Sequence, residues 1–140
     1  MCLKVRGKFK VAKKDIVCYK VIERWTDDNN SLHSVYRSEF KWELNKLMSP
    51  VENFMINREE FKKMVLRDKE VTCGMLHTFK NKRRAIKLAN ELSSRCYYPF
   101  QVHRCIIPKG TEYIKGRFDT NDFIQPVNYA SFNLILKEEI

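Results

Sequence analysis

The stretch Phe100–Arg117, FQVHRCIIPKGTEYIKGR, holds two strand-like runs on either side of Pro108, Lys109 and Gly110. Apolar, β-branched and aromatic residues on a two-residue period mark a half-buried strand, and a Pro-x-Gly cluster marks a turn. Phe100 to Ile107 is therefore one strand and Thr111 to Arg117 a second. Downstream, Asp119 to Asp122 reads as another turn. Tyr129 to Lys137 reads as a closing strand, with Phe132, Leu134 and Leu136 facing one way.

Upstream the period changes. Ala85, Leu88, Ala89 and Leu92 recur at helical spacing, so a helix is expected from about Asn81 to Ser93. Phe61, Met64 and Val65 do the same after Asn57, whose side chain and Glu60 form a capping-type start. That predicts a helix over 58–68. Ile16 to Arg24 and Val71 to Phe79 have strand character, as do the shorter runs His33–Arg37 and Lys41–Leu47, the second of which reads equally as helix. Thr26 to Ser31, TDDNNS, is a polar loop. There is no repeat, no low-complexity segment and no Pro/Gly-rich linker. The pattern predicts one α+β domain over residues 1–140, with a bent, mostly antiparallel sheet and two short helices.

The 140 residues, 44% of them apolar, suffice for one core. No eighteen-residue apolar window is present, which argues against a membrane span. The start, Met-Cys-Leu-Lys-Val-Arg, lacks the apolar segment of a signal peptide. The five cysteines are scattered at 2, 18, 73, 96 and 105, so reduced thiols in a cytosol are expected.

Net charge is +10 and it is uneven. Residues 1–24 hold eight Lys/Arg against two acids, and residues 57–87 hold ten against four. Between them, 25–56 is net −2, and 88–140 is neutral. Two basic blocks that fold onto one surface favour polyanions and speed their capture. The candidate binding residues are Lys80, Lys82, Arg83, Arg84 and Lys87 at the second helix, with Lys8, Lys10, Lys13 and Lys14 in the first block. Cations at a helix start oppose the helix dipole, a local conflict with stability that favours a functional reason for them. Exposed helix amides offer phosphates further donors. Tyr97, Tyr98 and Phe100 follow the helix as stacking candidates or as loop and core anchors.

Other chemistries find little support. Cys73 with His77, and Cys96, His103 and Cys105, lack the paired short spacings of a zinc site. No P-loop, G-x-G-x-x-G or nucleophile elbow occurs. No cofactor and no metal site are expected, and Tyr19, His77 and Tyr113 are the pocket residues of an alternative, nucleotide-binding reading.

Three segments together carry a resemblance: DIVCYKVIE, GMLHTFKNKRRAIKLAN, and HRCIIPKGTEYIKGRF followed by YASFNLIL. The chain resembles a family of small proteins of bacteriophages and mobile elements. Their pattern is a first strand with Tyr-Lys, a Gly-Phe-His-like strand before a helix, an Ile-Pro-x-Gly-Thr-x-Tyr hairpin and a closing Ala-Ser strand. Met75-Leu76-His77 departs from the Phe-His of that pattern. The family has no assigned activity; the resemblance implies a phage or prophage setting in a bacterial cytoplasm, where small phage proteins often counter host defence, including CRISPR systems. The order of elements is also similar to ADP-ribosyltransferases, whose Lys-Gly-Thr-like hairpin precedes a strand with a catalytic Glu. Here Ala130–Leu134 carries none, and Glu138 and Glu139 come later.

The expectation is a non-enzymatic accessory protein whose basic surface binds nucleic acid or a host complex that handles it. The alternatives are a nucleotide-binding or degenerate transferase-like enzyme, and an inhibitor acting by protein contact alone, with charge serving only to steer it.

Overall fold

The structure, a computed structural model, describes residues 3–35, 40–50, 57–71, 74–118 and 127–140. The expected turn at Asp119–Asp122 and the cysteines at 2 and 73 lie outside these residues. Eleven strands and two helices are described, and every strand pair is antiparallel. The α+β class and the bent antiparallel sheet expected from the residue pattern are what the chain adopts.

The frame is one long two-stranded ribbon. One side is β1 (Leu3–Val11) continued by β2 (Ile16–Trp25); the other is β8 (Phe100–Ile107) continued by β9 (Glu112–Phe118). The register runs unbroken from Glu23↔Phe100 through Ile16↔Ile107 to Val11↔Glu112 and Lys10↔Tyr113. Residues 12–15 and 108–111 are thus the two sides of a corner in this ribbon. Ala12 N donates to Thr111 O at 2.9 Å, Gly110 N to Ala12 O at 2.8 Å, and Lys109 N to Asp15 Oδ1 at 2.9 Å. The Pro108-Lys109-Gly110 turn is therefore not a hairpin: β8 and β9 do not pair with each other. Across the sheet the order is β5 (Leu47–Met48), β11 (Leu134–Glu139), β8, β2, β7 (Leu76–Phe79), β10 (Asn128–Ser131), β9, β1, β6 (Glu70–Val71). β3 (Ser31–Ser34) pairs with β2 and with β4 (Lys41–Trp42).

The alternation Leu3-Lys4-Val5-Arg6 makes β1 a strand that the sequence reading passed over in favour of its charge. Between Arg6↔Lys115 and Lys10↔Tyr113, the three residues Gly7, Lys8 and Phe9 stand opposite Ile114 alone. Gly7, at φ 78°, takes the left-handed turn of this bulge. The bulge aims Phe9 at Phe132, with ring centroids 6.0 Å apart.

Both helices fall where their spacing placed them: α1 at Arg58–Asp68, capped by Asn57 accepting from Glu60 N, and α2 at Lys82–Ser93, capped by Asn81. Both pack on one face of the sheet. α1 lays Val65 and Phe61 against Leu3, Ile114, Phe118 and Ala130; α2 lays Ala85 and Ala89 against Val21 and Val102. The other face forms a single apolar cluster running from Leu134 and Leu136 through Cys18, Ile22 and Leu76 to Tyr113 and Tyr129, capped by Trp42. A curled sheet converges its side chains inside and splays them outside. One continuous cluster against two separate ones therefore sets the helices outside a half-barrel.

The expected closing strand is interrupted. The chain bends at Phe132 and Asn133, so Phe132 joins the outer cluster while Leu134 and Leu136 enter the inner one. The three do not face one way as alternation implied, because alternation holds only while the strand is unbroken.

Gly116 marks the tightest point of the frame. A Cβ there would meet Lys4 O at 2.4 Å and Leu3 Cγ at 2.7 Å, and the backbone oxygen is held in the β1–β9 ladder. Gly116→Ala should therefore lower stability by about 3 kcal/mol, read as a fall in the urea midpoint at constant slope.

Candidate polyanion-binding surface

α2 shows how the local sequence builds a basic face. Ala85 and Ala89 are buried, Leu88 and Leu92 are partly buried beneath the helix, and Lys82, Arg83 and Lys87 point to solvent. Lys80 is exposed just before the cap and Arg84 is half-buried. The two helices treat their dipoles oppositely. α1 carries Glu59 and Glu60 in its first turn and Arg67 in its last, as the dipole favours. α2 has no acid in its first turn and begins with Lys82 and Arg83. Asn81 Oδ1 accepts from Arg83 N at 2.9 Å and from Arg84 N at 3.4 Å. Two of the amides expected to help hold phosphate, those of Arg83 and Arg84, are thus already capped.

Lys13 and Lys14 sit on the exposed corner of the ribbon, across from Lys109. The chain leaves β7 at Phe79, opposite Tyr19, heading toward the Ile16 end of β2 from which that corner springs. Lys80 and the start of α2 therefore lie at the same end of β2 as Lys13 and Lys14. Lys8 and Lys10 do not join them. They are exposed on β1, which β10 and β9 separate from β7, whereas α2 packs on β2, β8 and β7.

Ion pairing divides the cations. Lys4, Lys41, Lys46, Lys62, Arg67 and Arg104 are each bridged to a carboxylate. Among the described residues, Lys8, Lys10, Lys13, Lys14, Lys80, Lys82, Arg83 and Lys87 form no such pair. The register adds cations that sequence reading missed. Arg6 stands directly opposite Lys115, and Lys4 opposite Arg117. Like charges at opposed positions destabilise a sheet. The signal was present in the two-residue spacing of cations in each segment, but the pairing that joins the segments was not.

The residues weighed for chemistry are placed apart. Tyr19 and His77 belong to the outer face, since Tyr19 pairs with Phe79 and packs under α2 and His77 lies 5.8 Å from the Phe118 ring. Tyr113 belongs to the inner cluster, so the sheet divides the three. Cys18 pairs with Cys105 in the inner core; burial pushes the Cys18 thiol up to about 11 and raises that of Cys105 as well. His103 is buried with both ring nitrogens engaged, Nδ1 with Lys137 O at 2.7 Å and Nε2 with Gln101 Nε2 at 2.6 Å. Cys96 is exposed, and no group of metal-ligating side chains converges among the described residues. Phe100 packs under α2, and Tyr98 stacks on Trp25 at 5.6 Å and donates to Asp27 at 3.2 Å. Tyr97 alone of the three projects into solvent, at 84% exposure. No helix among the described residues is long and apolar enough to cross a membrane.

Comparison with family models, curated proteins and solved structures finds no match to this chain.

His77 gives the site region its pH signature. Burial, and then the Lys20 ammonium, push its imidazole down from 6.5 to about 3, and its Nε2 is buried without a partner. The unfolded chain takes up this proton below pH 6.5 while the folded protein refuses it until about pH 3. Stability present above pH 6.5 is therefore lost as pH falls through that window, by up to about 1.4 kcal/mol per pH unit. In His77→Gln the acid limb of a stability–pH curve should be shallower by that slope; an unchanged curve would place the effect elsewhere.

Proposed function

We propose that this protein is a non-enzymatic binder of polyanions, with nucleic acid, or the nucleic-acid-handling surface of a larger complex, as its partner. The observation that carries the reading is the start of α2. Exposed, carboxylate-free cations stand there against their own helix dipole, in a chain whose other helix obeys the dipole. Lys80, Lys82, Arg83 and Lys87 supply the strip, and Lys13, Lys14 and Lys109 extend it at the same end of β2. Lys8 and Lys10, with the opposed pairs on β1 and β9, form a second basic area across the sheet. Inhibition of a nucleic-acid-guided host defence, a common task of small phage proteins, is one form this binding would take in the phage setting the resemblance implies. In that setting the protein works in the bacterial cytoplasm.

Point charges on long stems suit a phosphodiester backbone rather than individual bases. If four of them contact phosphates, log K against log salt should fall with a slope of about −3 to −4. In the combined variant Lys82→Glu, Arg83→Glu and Lys87→Glu, the first two acids stand in the first turn, where the α2 dipole favours them, and position 87 is exposed, so folding should be preserved. Its affinity for a mixed-sequence RNA or DNA oligonucleotide at 0.1 M salt should drop at least about a hundredfold, measured by fluorescence anisotropy. Equal affinity in the variant and the natural chain would defeat the reading.

A further inference from the structure

Lys20 lies on the inner face of the sheet, between Cys18 and Ile22 of the apolar cluster. Its Nζ donates to His77 O at 2.7 Å and sits 5.4 Å from the Trp42 ring centroid. Among the described residues no carboxylate pairs with it. An ammonium has three donors and a full charge, and one carbonyl and an indole face leave most of that demand unmet. Two neighbouring strands add to it on the same face. Thr78 and Ser131 are completely buried, and neither hydroxyl has a hydrogen-bond partner, the Thr78 hydroxyl having only the weakly polar Cys18 thiol against it. The strands carrying the three groups, β2, β7 and β10, are consecutive in the sheet. Thr78 pairs with Tyr129 and Ser131 with Leu76, so the two hydroxyls are diagonal neighbours.

We infer that Lys20, Thr78 and Ser131 form a binding site for the oxyanion group, phosphate or carboxylate, of a small ligand on the inside of the half-barrel. Internal water would satisfy the hydroxyls but not the charge; an oxyanion satisfies both, because it brings several acceptor lone pairs and a compensating negative charge. The approach is also cationic. Lys115 stands opposite Tyr129 on the same face one strand further on, with Arg6 opposite it, and Arg117 Nε, two residues along, is buried without a partner among the described residues. Positive groups on the same face raise the local concentration of anions there. The site is independent of the α2 strip, which lies on the other side of the sheet. Burial, the largest cause, lowers the Lys20 ammonium to about 8, so a bound anion would also restore its proton affinity.

The experiment is reductive methylation of the intact protein at pH 8, read residue by residue by mass spectrometry. It is run in sodium phosphate, in sodium acetate and in sodium chloride at matched ionic strength. Lys20 labelling should fall at least fivefold in phosphate relative to chloride, with Lys13 and Lys14 unchanged. Acetate protecting equally assigns any oxyanion, and acetate failing assigns phosphate; both support the site. In parallel, phosphate should raise the melting temperature of the natural chain but not of Lys20→Met. Thr78→Val and Ser131→Ala should each weaken the half-maximal phosphate concentration about tenfold. Lys20 labelling that is the same in all three salts overturns the proposal. So does a phosphate-induced shift that survives in Lys20→Met, since the anions would then be held by surface cations alone.

Discussion

The pairing of residues 3–25 with 100–118, in one register from Lys10 to Glu23 and stepped at the Gly7–Phe9 bulge, is the constraint on which the rest of the molecule rests. A two-stranded ribbon of this length cannot remain flat and bury both faces. It bends where Lys13 and Lys14 meet Pro108, Lys109 and Gly110, and the backbone bonds of Ala12 with Thr111 and Gly110 carry the pairing through the bend. Once bent, its halves recruit neighbours separately: β11 and β7 flank the β2–β8 half, and β10 and β6 flank the β1–β9 half. The inner face closes into one apolar cluster, and each half keeps one helix outside.

That geometry decides where charge can go. The corner and the start of α2 both lie at one end of β2, and Lys13, Lys14, Lys80, Lys82 and Arg83 there remain exposed. On β1 and β9 the ladder instead sets Arg6 beside Lys115, which local stability disfavours, and Lys4 beside Arg117, where Glu70 bridges Lys4. Inside, Lys20 stands between Cys18 and Ile22 and is held by a carbonyl and an indole ring, with no carboxylate paired to it among the described residues. Three cationic features thus run against local stability, and each stands where an anionic partner would relieve it.

Much of the secondary structure was legible because it is local. The α1 and α2 boundaries follow from Asn57, Asn81 and the spacing of Phe61–Val65 and Ala85–Leu92, since a cap and an apolar stripe act within a few residues. β2, β8 and β9 follow from period-two alternation. Readings failed where the decisive partner was remote. LKVRGKFKV drew notice as charge although its apolar positions were those of a strand. The Pro108–Gly110 turn resembled a hairpin because the opposing corner at residues 12–15 is almost a hundred residues away. Phe132 fell out of its expected row because a two-residue bend reverses the face.

By itself, then, the chain determined its class, its two helices and the charge of its blocks. These follow from residue type and short-range spacing. Only the tertiary structure decided which basic residues share a surface, that Tyr113 is parted from Tyr19 and His77, and that Lys20, Thr78 and Ser131 share the inner face on consecutive strands. Those outcomes depend on register between distant strands. Register is set by the summed packing of both faces rather than by any local stretch.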